Sequence, residues 1–170
     1  WIRVYGLLFG VEQLADSLFK KIEQRYYELK NLASTCKESP RLLTERPLSG
    51  TWHVPNGEST TGILYRDAGA DYLFADIPGS GASALSIEMV LDRAMHADLW
   101  LIKSFGPLTK EQIIDDTPAC KHIPARLLVC NTEEVPFFEE TPFHPEYLLE
   151  NLISVLHPEQ GLKAEHEYFR

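Results

Sequence analysis

Cysteine is scarce in this chain, and none of it is arranged to pair. Three cysteines, Cys36, Cys120 and Cys130, stand among 170 residues. An odd count with no C-x-x-C pair excludes a disulfide framework and a zinc ribbon as expectations. Cys130 closes the apolar run Leu127-Leu128-Val129 and reads as a buried strand residue. No apolar run approaches the roughly 20 residues that span a bilayer. Positive charge is also in deficit. Lys plus Arg is 16 and Asp plus Glu is 25, a net charge of −9, which argues against nucleic acid or an anionic membrane as the main partner. A secretory leader is missing too: Trp1-Ile2-Arg3-Val4 has neither a charged n-region nor a start Met, so the chain reads as trimmed from something longer.

Catalytic patterns are equally thin. His53, His96, His122, His144, His157 and His166 include no pair at i, i+3 or i, i+4, so no protein-built metal site is expected. Gly57-Glu58-Ser59-Thr60-Thr61 begins like the G-x-S-x-G nucleophile elbow but carries Thr61 where the closing glycine belongs. Gly79-Ser80-Gly81-Ala82-Ser83 has no following Lys-Ser or Lys-Thr and is not a P-loop. His144-Pro145-Glu146 starts a deaminase-like signature that no P-C-x-x-C completes. No catalytic residue and no cofactor are expected. An enzyme using Ser59 or the Gly79 loop stays open as a second class, and a plain interaction module as a third.

What is present is an ordinary globular composition, 44% apolar and 24% charged, long enough for one domain with a real core. Residues 1–10 read as the tail of a helix. Residues 11–34 form a strong helix, with Leu14, Leu18, Ile22, Tyr26, Leu29 and Ala33 at spacings of three and four. Arg41 to Thr44 starts a strand that Arg46-Pro47 weakens, and Thr51 to Val54 alternates like another. Ser59 or Thr60 caps the next helix and Gly69 ends it. A short strand over 71–74, a flexible loop over 77–84 and a capping box at Thr109/Gln112 follow. Next come a strand over 125–130, a long connection from Asn131 to Pro145, and a helix from Pro145 stopped by His157-Pro158. This alternation predicts a three-layer α/β/α sandwich with a mainly parallel central sheet. Ligands then belong at the carboxyl ends of the strands: Pro55 to Ser59, Ala75 to Ser83, Ser104 to Leu108 and Asn131 to Phe138.

Two features of that layout suggest binding. Ser86 caps a helix whose apolar stripe is Ile87, Val90, Leu91 and Ala94, and Glu88 lies in its first turn off the stripe. Its carboxylate should face solvent, where the helix dipole favours it and a basic partner can reach it. Aromatic side chains, Trp52, Phe105, Phe137 and Phe138, gather at the strand ends. They suit either a flat, apolar-rimmed ligand or packing beneath a long loop. His53 flanks Trp52 at a strand end and reads either as a ligand contact or as a surface histidine.

Several segments taken together resemble a known family. Gly57-Glu58-Ser59, Arg66-Asp67-Ala68-Gly69-Ala70-Asp71-Tyr72-Leu73-Phe74, Leu85-Ser86-Ile87-Glu88 and Ala97-Asp98-Leu99-Trp100 look like the C-terminal lobe of class III periplasmic substrate-binding proteins. These serve ABC importers of ferric siderophores, haem and cobalamin. Tyr5-Gly6-Leu7-Leu8-Phe9-Gly10 looks like the end of that family's interlobe helix. Pro145-Glu146-Tyr147-Leu148-Leu149 and Leu156-His157-Pro158-Glu159 also match, especially versions from Bacteroidetes. The resemblance implies one lobe of a two-lobed binding protein, with residues 1–10 ending the interlobe helix and 11–170 forming the C-terminal substrate-binding lobe. It implies a metal chelate or tetrapyrrole ligand held between lobes. The protein would be monomeric and periplasmic, peripheral to the membrane and lipid-anchored in some versions. It would deliver its cargo to an ABC transporter permease. Ser86-Ile87-Glu88 matches the family's docking Ser-x-Glu, which makes Glu88 the permease-docking residue. Trp52, His53, Pro55, Ser83, Phe105, Phe137 and Phe138 are the implied ligand-facing positions. In a haem-binding version, His53 is an axial ligand.

Overall fold

A computed structural model describes residues 1–170. In chain order the elements are α1 (Ile2–Phe9), α2 (Glu12–Ser34), β1 (Arg41–Thr44), β2 (Pro47–Leu48), β3 (Thr51–Pro55), α3 (Thr60–Asp67), β4 (Asp71–Tyr72) and β5 (Ala82–Ser86). They continue as α4 (Ile87–Ala94), β6 (Leu99–Ser104), α5 (Lys110–Asp116), β7 (Arg126–Asn131), α6 (Phe137–Glu140) and α7 (Pro145–Leu156). Single 3-10 turns cover Pro118–His122 and Pro158–Gln160.

The central sheet is parallel throughout, in the order β4-β1-β6-β7. Its middle strand β6 begins Leu-Trp-Leu-Ile, and all four residues are buried, as a strand covered on both faces requires. Leu43 pairs with Trp100, and Lys103 with Cys130. Helices α2, α3 and α7 pack together as one layer, with Leu29 and Ala33 of α2 and Leu149, Leu152 and Ile153 of α7 buried. The remaining helices lie elsewhere on the fold, α4 against β3 and β5 and α5 against the Pro118 turn.

A second, antiparallel sheet, β2-β3-β5, departs from the expected layout. Residues 82–84 were expected to end a flexible loop, yet 82–86 pair with all of β3, Ser83 opposite Val54 and Ala84 opposite His53. Alternation along β3 is clean: Trp52 and Val54 point inward and His53 outward. The preceding turn is tied down as well. Asn56 N–H and Gly57 N–H donate to the Gly81 and Ile77 carbonyls, the Asn56 amide donates to the Pro78 carbonyl, and Glu58 accepts from Gly79 N–H. Four bonds of this kind remove the freedom expected from the glycines. Gly57 itself must be glycine, because a Cβ there would lie 2.0 Å from the Ala75 carbonyl oxygen.

Smaller differences follow from local packing. The strand expected over 71–74 is paired only at Asp71–Tyr72. The long connection after β7 contains the helical turn α6. The last residues also return to the fold: Phe169 N–H donates to Asn151 Oδ1, and the Arg170 carbonyl accepts from Val129 N–H. The tail thus covers part of the β7 edge, a natural protection for an otherwise unpaired strand. At the other end, Leu7, Leu8 and Phe9 of α1 and Leu14 of α2 are exposed. The α1/α2 junction forms an apolar groove of about 340 Å³ closed on one side by Phe143.

Candidate ligand-binding cleft

The carboxyl edge of the central sheet is shaped first by two tryptophans. Trp52 and Trp100 are both fully buried, their rings 5.8 Å apart. The Trp52 indole N–H donates to the Thr44 carbonyl and that of Trp100 to the Glu45 carbonyl. These bonds hold the end of β1 where Glu45 adopts φ 63°, a left-handed conformation that a non-glycine residue keeps only when its surroundings impose it. The turn aims the Glu45 carboxylate at Lys103 near the end of β6, and the two form an ion pair. Arg46 follows, 3.5 Å from Asp116. The strand end Thr44-Glu45-Arg46 was absent from the expected list of ligand loops, because Arg46-Pro47 obscured where the strand stops.

Around this pair the surface opens into a cleft of about 380 Å³ lined by Glu45, Arg46, His53, Pro55, Lys103 and Phe105 among others. Phe105 is 84% exposed. Its loop is nonetheless fixed: the buried Asn131 side chain accepts from Gly106 N–H at 3.0 Å and from Glu133 N–H at 3.1 Å. Lys103 also lines a larger, more apolar cavity of about 670 Å³, together with Trp1, Thr60, Phe137, Phe138 and Pro145. The ammonium group therefore stands at the boundary between a charged half and an aromatic half. Beneath it, burial pushes the Cys130 thiol up to about 11, so this cysteine is an inert strand residue.

The positions singled out in the sequence separate into three groups. His53, Pro55 and Phe105 meet at the charged half, whereas Ser83, paired with Val54, lies on the inward face of that ladder, the face of Trp52. Phe137 and Phe138 meet at the aromatic half, their rings edge to face at 5.3 Å. Phe138 is exposed there, whereas Phe137 is nearly buried against Tyr168 and Phe169. Trp52 stands apart. Having no exposed surface, it supports the Thr44 backbone instead of offering a face to a ligand. Glu45, Arg46 and Lys103 were missed. The signal that could have found them is positional, charged residues directly after buried strand runs.

Ser59 carries no nucleophilic arrangement. Its hydroxyl caps α3 by accepting from Gly62 N–H at 3.0 Å and donates to the Asn56 carbonyl at 2.6 Å. The Gly-Glu-Ser segment is thus a helix start and loop clamp. Glu88 lies elsewhere, exposed in the first turn of α4, whose N-cap is Ser86. The helix is held in place by Arg93, which donates to Asp76 and to the Leu73 carbonyl. That pairing keeps the Asp76 carboxyl below its usual range. Leu91, Asp92, Met95 and His122 surround Glu88 in a shallow depression.

Comparison with known proteins bears on the whole chain. A family model described as periplasmic binding protein matches residues 1–126. A lipoprotein of Methanocaldococcus jannaschii is 22% identical over 166 residues, covering 94% of this chain and 38% of that protein. Among solved structures, the TroA-like periplasmic binding protein FepB from Veillonella parvula superposes with a TM-score of 0.70 at 16% identity, over 98% of this chain and 53% of that one. A periplasmic haem-binding protein from Pseudomonas aeruginosa gives 0.66 at 16% identity, over 92% and 58%. The ABC-type Fe3+-hydroxamate transport system from Saccharomonospora viridis gives 0.65 at 16% identity, over 91% and 53%. The chain thus matches a fold in full while spanning little more than half the length of these structures.

Proposed function

The chain belongs to the periplasmic binding protein family, and on that premise we propose that it is the C-terminal lobe of a solute-binding component of an ABC importer. The family and its structural relatives are solute-binding proteins and not enzymes. The lobe supplies half of a site that captures an iron complex, a ferric siderophore or a similar chelate. The observation that carries this reading is the position of Lys103, at the carboxyl edge of the parallel sheet between a charged and an aromatic cavity. A ferric chelate presents anionic oxygen donors wrapped in an organic shell. Lys103 and Arg46 suit the oxygens, and Phe105 and Phe138 suit the shell. His53 and Pro55 complete the contact set, with Trp52 and Phe137 as support from beneath.

Haem is the second reading, favoured by the exposed His53 imidazole in the cleft. An imidazole nitrogen suits an axial position on iron, the aromatic half suits a porphyrin face and Lys103 a propionate. Optical titration with haem distinguishes the two: a Soret shift lost in His53→Ala supports axial ligation, and a shift that persists unchanged excludes it.

The exposed apolar face of α1 supports its assignment as the end of an interlobe helix, because Leu7, Leu8 and Phe9 form a patch that another surface would cover. Delivery would proceed through Glu88, whose exposed carboxylate on a pinned helix suits a basic rim on a permease. Such a rim contact governs steering and register. An extracytoplasmic place, periplasmic or lipid-anchored, accords with the family and with the lipoprotein relative. Action as a monomer is part of the same proposal. The test is binding of ferric hydroxamate, ferric catecholate and haem to the two-lobed protein, comparing wild type with Lys103→Ala and Phe138→Ala. Saturable binding weakened about tenfold by either variant supports the site; affinity unchanged in both removes it.

A further inference from the structure

Three helices end at one place on the side of the molecule away from the cleft. Cys36 follows the C-terminus of α2, Ala68 is the C-cap of α3 and His157 is the C-cap of α7. Helices α3 and α7 both begin at the aromatic cavity, with Thr60 and Pro145 in its wall. The 12 residues of α7 therefore place its far end about 18 Å away, at 1.5 Å per residue. Helix C-termini carry partial negative charge, and three of them converging favour a cation.

The side chains gathered there are of three metal-ligating types. Cys36 Sγ, one imidazole nitrogen of His157 and a Glu159 carboxylate oxygen all lie within 4.8 Å of one another. His157 is 1% exposed. Its Nε2 lies 3.0 Å from the Ala68 carbonyl. A carbonyl only accepts, so Nε2 donates to it, and Nδ1 is the ring nitrogen left on the Glu159 side. Backbone anchoring of one imidazole nitrogen is the arrangement that orients a metal-binding histidine through the other. Glu159 Oε1 lies 3.6 Å from Nδ1, too far for a hydrogen bond. That distance instead matches the roughly 3.4 Å that separates nitrogen and oxygen ligands on a tetrahedral zinc ion. Gly69 makes the approach possible, since a Cβ there would sit 2.7 Å from His157 Nε2.

We propose that Cys36, His157 and Glu159 form a binding site for a divalent metal of zinc type, distinct from the ligand cleft. One thiolate, one neutral imidazole and one carboxylate are a mixed sulfur, nitrogen and oxygen set suited to Zn(II). Two negative ligands neutralise the ion, and the exposed Glu159 side leaves the fourth position to water. Without metal the thiol donates to the Leu32 carbonyl. Metal binding forms the Zn–Sγ bond and releases that proton to solvent. The bound ion would tie the ends of α2 and α7 together. The site rests on these residues alone, independently of the cargo assignment.

The experiment titrates the chelator-treated protein with aqueous Zn(II) against a chromophoric competitor, and with Co(II) as a spectroscopic substitute. The expected result is one equivalent of metal, a thiolate-to-Co(II) charge-transfer band, and a melting temperature raised by Zn(II). Cys36→Ser abolishes the band and weakens Zn(II) binding tenfold or more. Glu159→Gln, at an exposed position, retains the band and weakens binding severalfold. Absence of stoichiometric binding overturns the proposal. So does binding of one equivalent without the band and with equal affinity in Cys36→Ser and Glu159→Gln, which places the metal elsewhere.

Discussion

Trp52 shows how one residue can belong to a site without touching a ligand. Its indole N–H and that of Trp100 satisfy successive carbonyls at Thr44 and Glu45, and this support fixes the Glu45–Lys103 pair. Trp52→Ala should therefore destabilise the fold by about 3–5 kcal/mol, as large-to-small changes at buried aromatics do. Urea unfolding monitored by circular dichroism measures it. A variant as stable as wild type would mean that the strand end is held by other contacts. Acid sensitivity also resolves to single residues. Arg93 holds Asp76, and Arg41 holds Asp98, below the ordinary aspartate value of 3.8. Their folded pKa values lie below the unfolded one, so the stabilisation is complete above that value and is lost as pH falls through the folded values. Both pairs are largely exposed, and each contributes about 1 kcal/mol or less. The double variant Asp76→Asn/Asp98→Asn should accordingly lose less stability than wild type as pH falls below about 4. Parallel acid-unfolding curves would contradict this.

Among the elements, those with strong periodicity were legible in the sequence. The α2 helix, the α7 stripe, the buried Leu99 strand, the Ser59 and Ser86 caps and the Thr109/Gln112 capping box form as expected, because each is specified by neighbours in sequence; of the α2 stripe, Leu29 and Ala33 are buried while Leu14 and Leu18 are exposed. The β3/β5 ladder was not legible. Ala82 to Ser86 has weak strand propensity and is extended only because β3, some thirty positions earlier, offers its edge. The charged half of the cleft was hidden for a related reason: Glu45 and Lys103 meet only after β1 and β6 pair. Aromatic residues at the strand ends were visible by type, but whether each is exposed or buried depends on tertiary neighbours. Thus Phe138 faces the cavity while Phe137 packs on the C-terminal tail. The junction after α3 is a sharper test of local rules. Gly69 has φ 81° and sits against His157, so Gly69→Ala combines a left-handed penalty of about 1–2 kcal/mol with a clash at the α7 C-cap. Its melting temperature should fall by several degrees; an unchanged value would show that the α3–α7 junction adapts freely.

At the scale of the whole molecule, the proposed cleft and the proposed docking residue sit on different elements. The carboxyl edge of the parallel sheet bears the cleft residues, and the Arg93-pinned helix α4 bears Glu88. Separation of the two predicts separable phenotypes. In the two-lobed protein, Glu88→Arg should leave ligand affinity unchanged and lower transport by about tenfold or more, since a like-charge contact at a docking rim costs several kcal/mol. Uptake assays in cells beside binding by the purified protein measure this. Reduced binding with intact uptake would reverse the assignment. The central claim, that this lobe contributes half of an iron-chelate site, is tested most directly by tryptophan-fluorescence titration of the two-lobed protein with ferric hydroxamate, ferric catecholate and haem. Trp1 lines the aromatic half of the cleft and is 78% exposed, so it is a nearer reporter than the buried Trp52. The account predicts saturable quenching by one of these compounds, weakened by Lys103→Ala. No saturable response to any of them, or a response indifferent to Lys103, would contradict it.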